Sequence, residues 1–378
     1  MGGCGSDPGS PGPEGAAVPS GIGFDLALSA MLAGANDLMA IFRWGRRLPP
    51  EALYLLGLER APCHAMYHYF FKALDVTAAE AVLGEWARGS GPVGHVALDG
   101  KRLKGSAPAG HDGSEGVHLL AAFASRLGTV IGQLRVPPEA NEITAALTLL
   151  KSLPLGGAVI TGDAVFCQRA ICQAIRDGGG DYLFTVKANQ PALMADLAVA
   201  FGDAFPPELV AAFQGQPPPP ALDGPPPDRE GAQTVEKGHG RIETRRITVS
   251  REVVPALDWP GVAQVCRIER TREVKGAISH ETVYVITSLD RDHASPAALL
   301  ALARDHWGIE NRLHWRRDVL LSEDASRVRS GAVPQAMAML RNTMLGIANL
   351  FGAPLPAVRM ACAEDRCATI ATVKNGFL

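Results

Sequence analysis

Three short apolar runs in close succession, Val96 to Leu98, His118 to Ala124 and Thr129 to Val136, most constrain what this chain can fold into. They follow a Gly-Ser-Gly-Pro break at 89 to 92, and the last two are joined across Ser125 to Gly128 like a hairpin. The pattern then changes. A helical stretch from about Asn141 to Leu153 precedes the run Ala158 to Thr161, a helix from about Phe166 to Arg176 and the strand Tyr182 to Val186. The order βββαβαβ implies a sheet covered by helices, an α/β fold.

A meander followed by αβαβ is the strand order of a ribonuclease-H-like core, in which an acid on the first strand lies beside one at the end of the fourth. Asp99 closes the run from His95 and Asp163 closes the run from Val159. A carboxylate beside an apolar strand is costly to bury without a partner. Metal binding explains both, and a turn or helix-cap aspartate is the plain alternative. A third acid, Glu310, falls in a helical segment where regular spacing puts His306, His314 and Arg317 on its face, beside Trp307 and Trp315. Zinc held by His306, Glu310 and His314 is a rival reading without the HExxH pattern. Oxygen donors from Asp99 and Asp163 favour magnesium.

Around this core the sequence predicts a Gly/Pro-rich disordered tail over 1–20 and a small helical domain over 21–90. The core occupies 91–201, a Pro-rich loop 202–231 and a β-rich insertion 232–292, the insertion carrying strands at 243–250, 262–271 and 281–288. Helices over 293–352, running from about Pro296 to Leu320 and from Pro334 to Leu350, complete the core, and 353–378 forms a C-terminal tail. With 378 residues, 47% of them apolar, a large core is available. The most membrane-like stretch, Leu26 to Ala35, is half the length of a span, and the N-terminus lacks the pattern of a signal peptide. Seven cysteines at irregular spacing fit a reducing cytoplasm.

The segments ALDGKRLKGS (97–106), HLLAAFASRLGTVIGQLRV (118–136), NEITA (141–145), ITGDAVFCQ (160–168), GGDYLFTVKANQP (179–191), EKGHGRIETR (236–245) and RDHWGIENRLHWRRDV (304–319) are long and ordered. Together they resemble the DDE transposases of bacterial insertion sequences, in particular the subgroup of H-repeat-associated proteins, over the chain after about residue 21. The resemblance implies a ribonuclease-H-like fold with a β-rich insertion before the third acid. It also implies a triad of Asp99, Asp163 and Glu310 holding two Mg²⁺ ions, with Mn²⁺ as a possible substitute. Related transposases place the third acid in a Tyr-x2-Arg-x3-Glu-x6-Lys signature, and this chain carries Ala303, His306, Glu310 and Arg317 at those places.

The implied activity is strand cleavage at element ends followed by strand transfer, on double-stranded DNA bearing terminal inverted repeats and on target DNA, by a homodimer in the bacterial cytoplasm or nucleoid. Lys101, Arg102, Lys104, His239, Arg241, His306 and Arg317 are the expected DNA contacts. The net charge of -3 excludes a basic coat protein, yet the windows around Asp99, the insertion and Glu310 are each basic in excess. A catalytically silent or domesticated DNA-binding relic is the alternative function. A metal-dependent nuclease without strand transfer fits the long insertion less well.

Overall fold

The computed structural model describes residues 20–203, 228–238 and 240–376. The expected tail over 1–19, most of the Pro-rich loop and His239 lie outside them. The chain divides into a helical unit, residues up to 74 with 330–333 and 356–378, and a larger unit of 75–329 with 334–355.

The helical unit contains α1 (Ser20–Leu32), α2 (Leu38–Gly45), α3 (Pro50–Leu55) and α4 (His64–Ala73). Asp37 starts α2 by accepting from the Ala40 amide at 2.7 Å. Two helices near the C-terminus, Leu355–Glu364 and Arg366–Lys374, stand where a tail was expected. They are tied in by polar contacts that sequence periodicity does not report: Arg359 donates to Asn36 Oδ1 at 2.8 Å and Lys374 to the Leu55 carbonyl at 2.6 Å. The helical unit thus ends at Leu74 rather than near 90, and gains a C-terminal segment.

The larger unit opens with α5 (Val76–Gly89), capped by Asp75, followed by β1 (His95–Leu103), β2 (Val117–Ala124) and β3 (Thr129–Val136). Then come α6 (Glu142–Lys151), β4 (Val159–Gly162), α7 (Arg169–Asp177), β5 (Asp181–Val186) and α8 (Pro191–Phe201). Strands β6 (Glu230–Gly238), β7 (Arg241–Ser250), β8 (Gln264–Val274) and β9 (Ala277–Thr287) form the insertion, and α9 (Pro296–Asp305) follows. All nine strands belong to one sheet in the order β3-β2-β1-β4-β5-β9-β8-β7-β6. The first five have the order expected of a ribonuclease-H-like core, with β1, β4 and β5 parallel. The insertion is no separate small sheet: β9 pairs antiparallel with β5 and carries the core sheet onward.

Alternation along β1 and β4 gives the sheet two different faces. Even-numbered Val96, Leu98 and Ile160 are buried with Ala145 and Leu149 of α6 and Ile171 and Ile175 of α7 in the main apolar core. Odd-numbered His95, Asp99 and Thr161 face the segment after α9. That segment differs from the continuous helix expected over 296–320. α9 ends at Asp305, a π-helical turn spans Glu310–His314, and a short α10 (Trp315–Val319) precedes the long α11 (Val333–Leu350). Such turns insert one residue and recur at functional sites.

Candidate active site

β1 and β4 run parallel with Leu98 opposite Gly162, so Asp99 on β1 and Asp163, the residue directly after β4, are neighbours. Neither acts as a helix cap. Asp163 opens the 3₁₀ turn Ala164–Phe166 without a side-chain cap bond, and its side chain is 71% exposed. Asp99 accepts only from the adjacent Gly100 amide, at 2.8 Å, among hydrogen bonds within the described residues. Neither side chain therefore makes a helix-cap hydrogen bond, although Asp163 stands at the start of a 3₁₀ turn.

Each acid faces a histidine. His306 Nε2 lies 3.5 Å from Asp163 Oδ1, and His314 Nε2 lies 3.2 Å from Asp99 Oδ2. The His306 imidazole, with Lys187 contributing less, holds the Asp163 carboxyl below its ordinary range despite burial working the other way. His314 is buried, and the alignment of its Nε2 with Asp99 falls short of a hydrogen bond. Glu310 sits in the π turn between the two histidines, exposed. Trp307 and Trp315, 59% and 53% exposed, flank it. The site therefore brings Asp99 and Asp163 together with the two histidines, and no three ligand-type side chains converge on one point among the described residues. The carboxylate pair nevertheless fits magnesium-class cations, which take one or two protein carboxylates and complete their shell with water and substrate phosphate.

The expected DNA contacts divide sharply. Arg102 is exposed. It borders an open cleft of about 550 Å³ with Gly100, His118, Asn141, Glu142 and Val165. Lys104 is 68% exposed, 3.5 Å from Asp324. Arg241 is half exposed beside Glu243. Lys101 is instead taken up by Asp318 at 2.6 Å and is 12% exposed. Arg317 is not available at all. Its guanidinium is fully buried and donates twice to Glu323, at 2.7 and 2.9 Å, with Arg341 donating to the same carboxylate at 3.3 Å. The inserted residue of the π turn explains the misplacement: it turns everything after it by about 100° relative to a regular helix, moving Arg317 off the Glu310 face.

Three residues escaped sequence reading. His95, Thr161 and Asp305 join His306 in an unbroken chain of polar contacts, and none stands in a recognisable motif. The close approach of Glu142 and His118 to Gly100 was equally unforeseen; a Cβ at Gly100 would collide with Glu142 Oε1. Residue pairs brought together by β-pairing and a crossing helix leave no local signal.

The transposase DDE domain family model matches residues 91–347, which contain the three acids, the sheet and most of α11. The chain belongs to the DDE transposase family. YncI of Escherichia coli O157:H7, itself named only as a candidate transposase, is 33% identical over 85% of this chain and 80% of its own. YhhI of Escherichia coli strain K12, an H repeat-associated candidate transposase, is 32% identical over 67% of this chain and 63% of its own. An uncharacterised protein from the dhlA 3′ region of Xanthobacter autotrophicus is 35% identical over 71% and 86%. Among solved structures, a piggyBac transposase synaptic complex with hairpin DNA aligns over 95% of this chain and 75% of that one. The two share 10% identity at a TM-score of 0.41. The family match begins after α1 to α5.

Proposed function

We propose that this DDE transposase cleaves DNA at the ends of its element and joins them to target DNA by in-line phosphoryl transfer, with Asp99, Asp163 and Glu310 holding two Mg²⁺ ions, or Mn²⁺ in their place. The observation that carries the reading is the pairing of β1 with β4, which puts Asp99 and Asp163 side by side. When bound, divalent cations supply Lewis-acid stabilisation of charge on the attacking, leaving and phosphoryl oxygens.

The remaining work falls to side chains. Asp99 and Asp163 fix one wall of the site from rigid strands, and Glu310 closes it from the π turn when the substrate phosphate arrives. Exposed Arg102 and Lys104 hold backbone phosphates beside the cut, and Arg241 does so from the β-rich insertion. His239, two residues before Arg241 in the sequence, is a further candidate. Trp307 and Trp315 offer apolar faces on which bases stack near Glu310. Two copies of the chain, one on each inverted repeat, would bring the ends together.

The test is nicking of a duplex carrying the element's end sequence. Asp99→Asn, Asp163→Asn and Glu310→Gln are each expected to lower the rate by about 1,000-fold, the several kcal/mol of charge stabilisation at stake. The rival reading is a catalytically silent DNA-binding relic. Specific binding to the end sequence with no metal-dependent nicking by the unaltered protein would establish that rival.

A further inference from the structure

Behind Asp163 the odd face of the sheet carries a connected line of polar side chains. The Asp305 carboxylate accepts from His95 Nδ1 at 2.8 Å, His95 Nε2 meets Thr161 Oγ1 at 2.7 Å, and Thr161 Oγ1 meets His306 Nδ1 at 3.1 Å. His306 then turns its other nitrogen to Asp163. His95 is 9% exposed and Thr161 1%, so these groups depend on each other for hydrogen bonds. Asp305 ends α9, where a carboxylate opposes the helix dipole; the His95 ring beside it holds the carboxyl below its ordinary range. An acid kept at an unfavourable helix position, a buried threonine and two histidines are a costly set to assemble for packing alone.

We propose that His306 is a positioning residue for Asp163, its ring locked by Thr161, His95 and Asp305 so that Nε2–H is presented to the Asp163 carboxylate. The ionised carboxylates at both ends only accept, so His95 donates from Nδ1 to Asp305 and His306 from Nε2 toward Asp163. Thr161 Oγ1 lies between the two rings and bonds to both, through His95 Nε2 and His306 Nδ1. Any imidazole rotation breaks two contacts at once, so the carboxylate is steered by residues that do not touch DNA. Second contacts of this kind commonly orient the groups that hold a metal.

The inference rests on the reading of Asp163 as a catalytic carboxylate, and its test separates the two. In the metal-free protein, the His306 ring N–H proton is expected as a sharp, slowly exchanging NMR resonance in the unaltered chain and in Thr161→Ser, and broadened in Thr161→Val and His95→Gln. With Mg²⁺ and end DNA, Thr161→Val is expected to lower kcat about 10- to 100-fold, within the cost of losing supporting contacts. KM and the unfolding midpoint should stay near those of the unaltered chain, and Thr161→Ser should restore the rate. A sharp, unshifted His306 resonance in Thr161→Val overturns the proposal, and so does an unchanged kcat in that variant while Asp163→Asn is inactive. Full activity in Asp163→Asn strikes the catalytic reading instead, and the resonance in the metal-free protein then decides the positioning line by itself.

Discussion

Glu80 and Glu323 are two buried carboxyls of opposite character. Glu80, on α5, accepts from Gln133 at 2.6 Å and Gln335 at 3.2 Å, but burial dominates and pushes its carboxyl up to about 7. A group raised from 4.5 in this way binds its proton more tightly in the folded state. Its contribution is full below the unfolded value and is lost as pH rises toward 7 and beyond. Glu80→Gln should therefore gain up to about 3 kcal/mol relative to the unaltered chain between acid and neutral pH, read from urea midpoints. Glu323 is held low against the pull of burial by Arg317 and Arg341. Glu323→Gln leaves two buried guanidiniums short of their partner and should cost about 3 to 5 kcal/mol. At this scale the adjacency of Asp99 and Asp163 was legible only through the strand order βββαβαβ, since an aspartate after a strand is by itself most often a turn or cap residue. Arg317 misled: helical spacing placed it beside Glu310, and its burial with Glu323 depends on a π turn that no spacing rule anticipates.

Strands with one apolar face announced themselves, and β3 lies where its alternation put it, at Thr129–Val136. Elements that take their stability from tertiary contacts did not. α8 begins on Pro191 and ends at Gly202 in a left-handed conformation, but its sequence is apolar nearly all round and shows little helical periodicity. β6 is an edge strand with mostly exposed side chains, so it lacks the alternation that marked β7 and β8. The pairing of β9 with β5 joins residues about a hundred apart in sequence, a long-range choice set by what else is left to cover the β5 edge. After β1 the chain turns through Lys104–Ser106 against the turn Glu323–Ala325, and a Cβ at Gly105 would collide with the Ser326 carbonyl oxygen. Gly105→Ala is expected to lower stability by about 1 to 3 kcal/mol, since the obstacle is backbone and cannot rotate away. A thermal midpoint unchanged by that substitution would show that the β1 exit is looser than this packing requires.

Across the molecule, near-neutral net charge conceals a segregated pattern: Arg102, Lys104 and Arg241 remain exposed, while Lys101 and Arg317 are neutralised by acids of their own chain. End-DNA affinity should accordingly fall with salt, and Arg102→Ala should lessen that dependence by about one released counterion, measured by titration at several ionic strengths. The family model matches residues 91–347, most of the larger unit, so the proposed cleavage chemistry is assigned to that unit. The most direct measurement of the central claim is a paired-end reaction with Mg²⁺, comparing the unaltered chain with Asp163→Asn for nicking and joining. The account predicts both products from the former and neither from the latter. Equal product from the two proteins would contradict it.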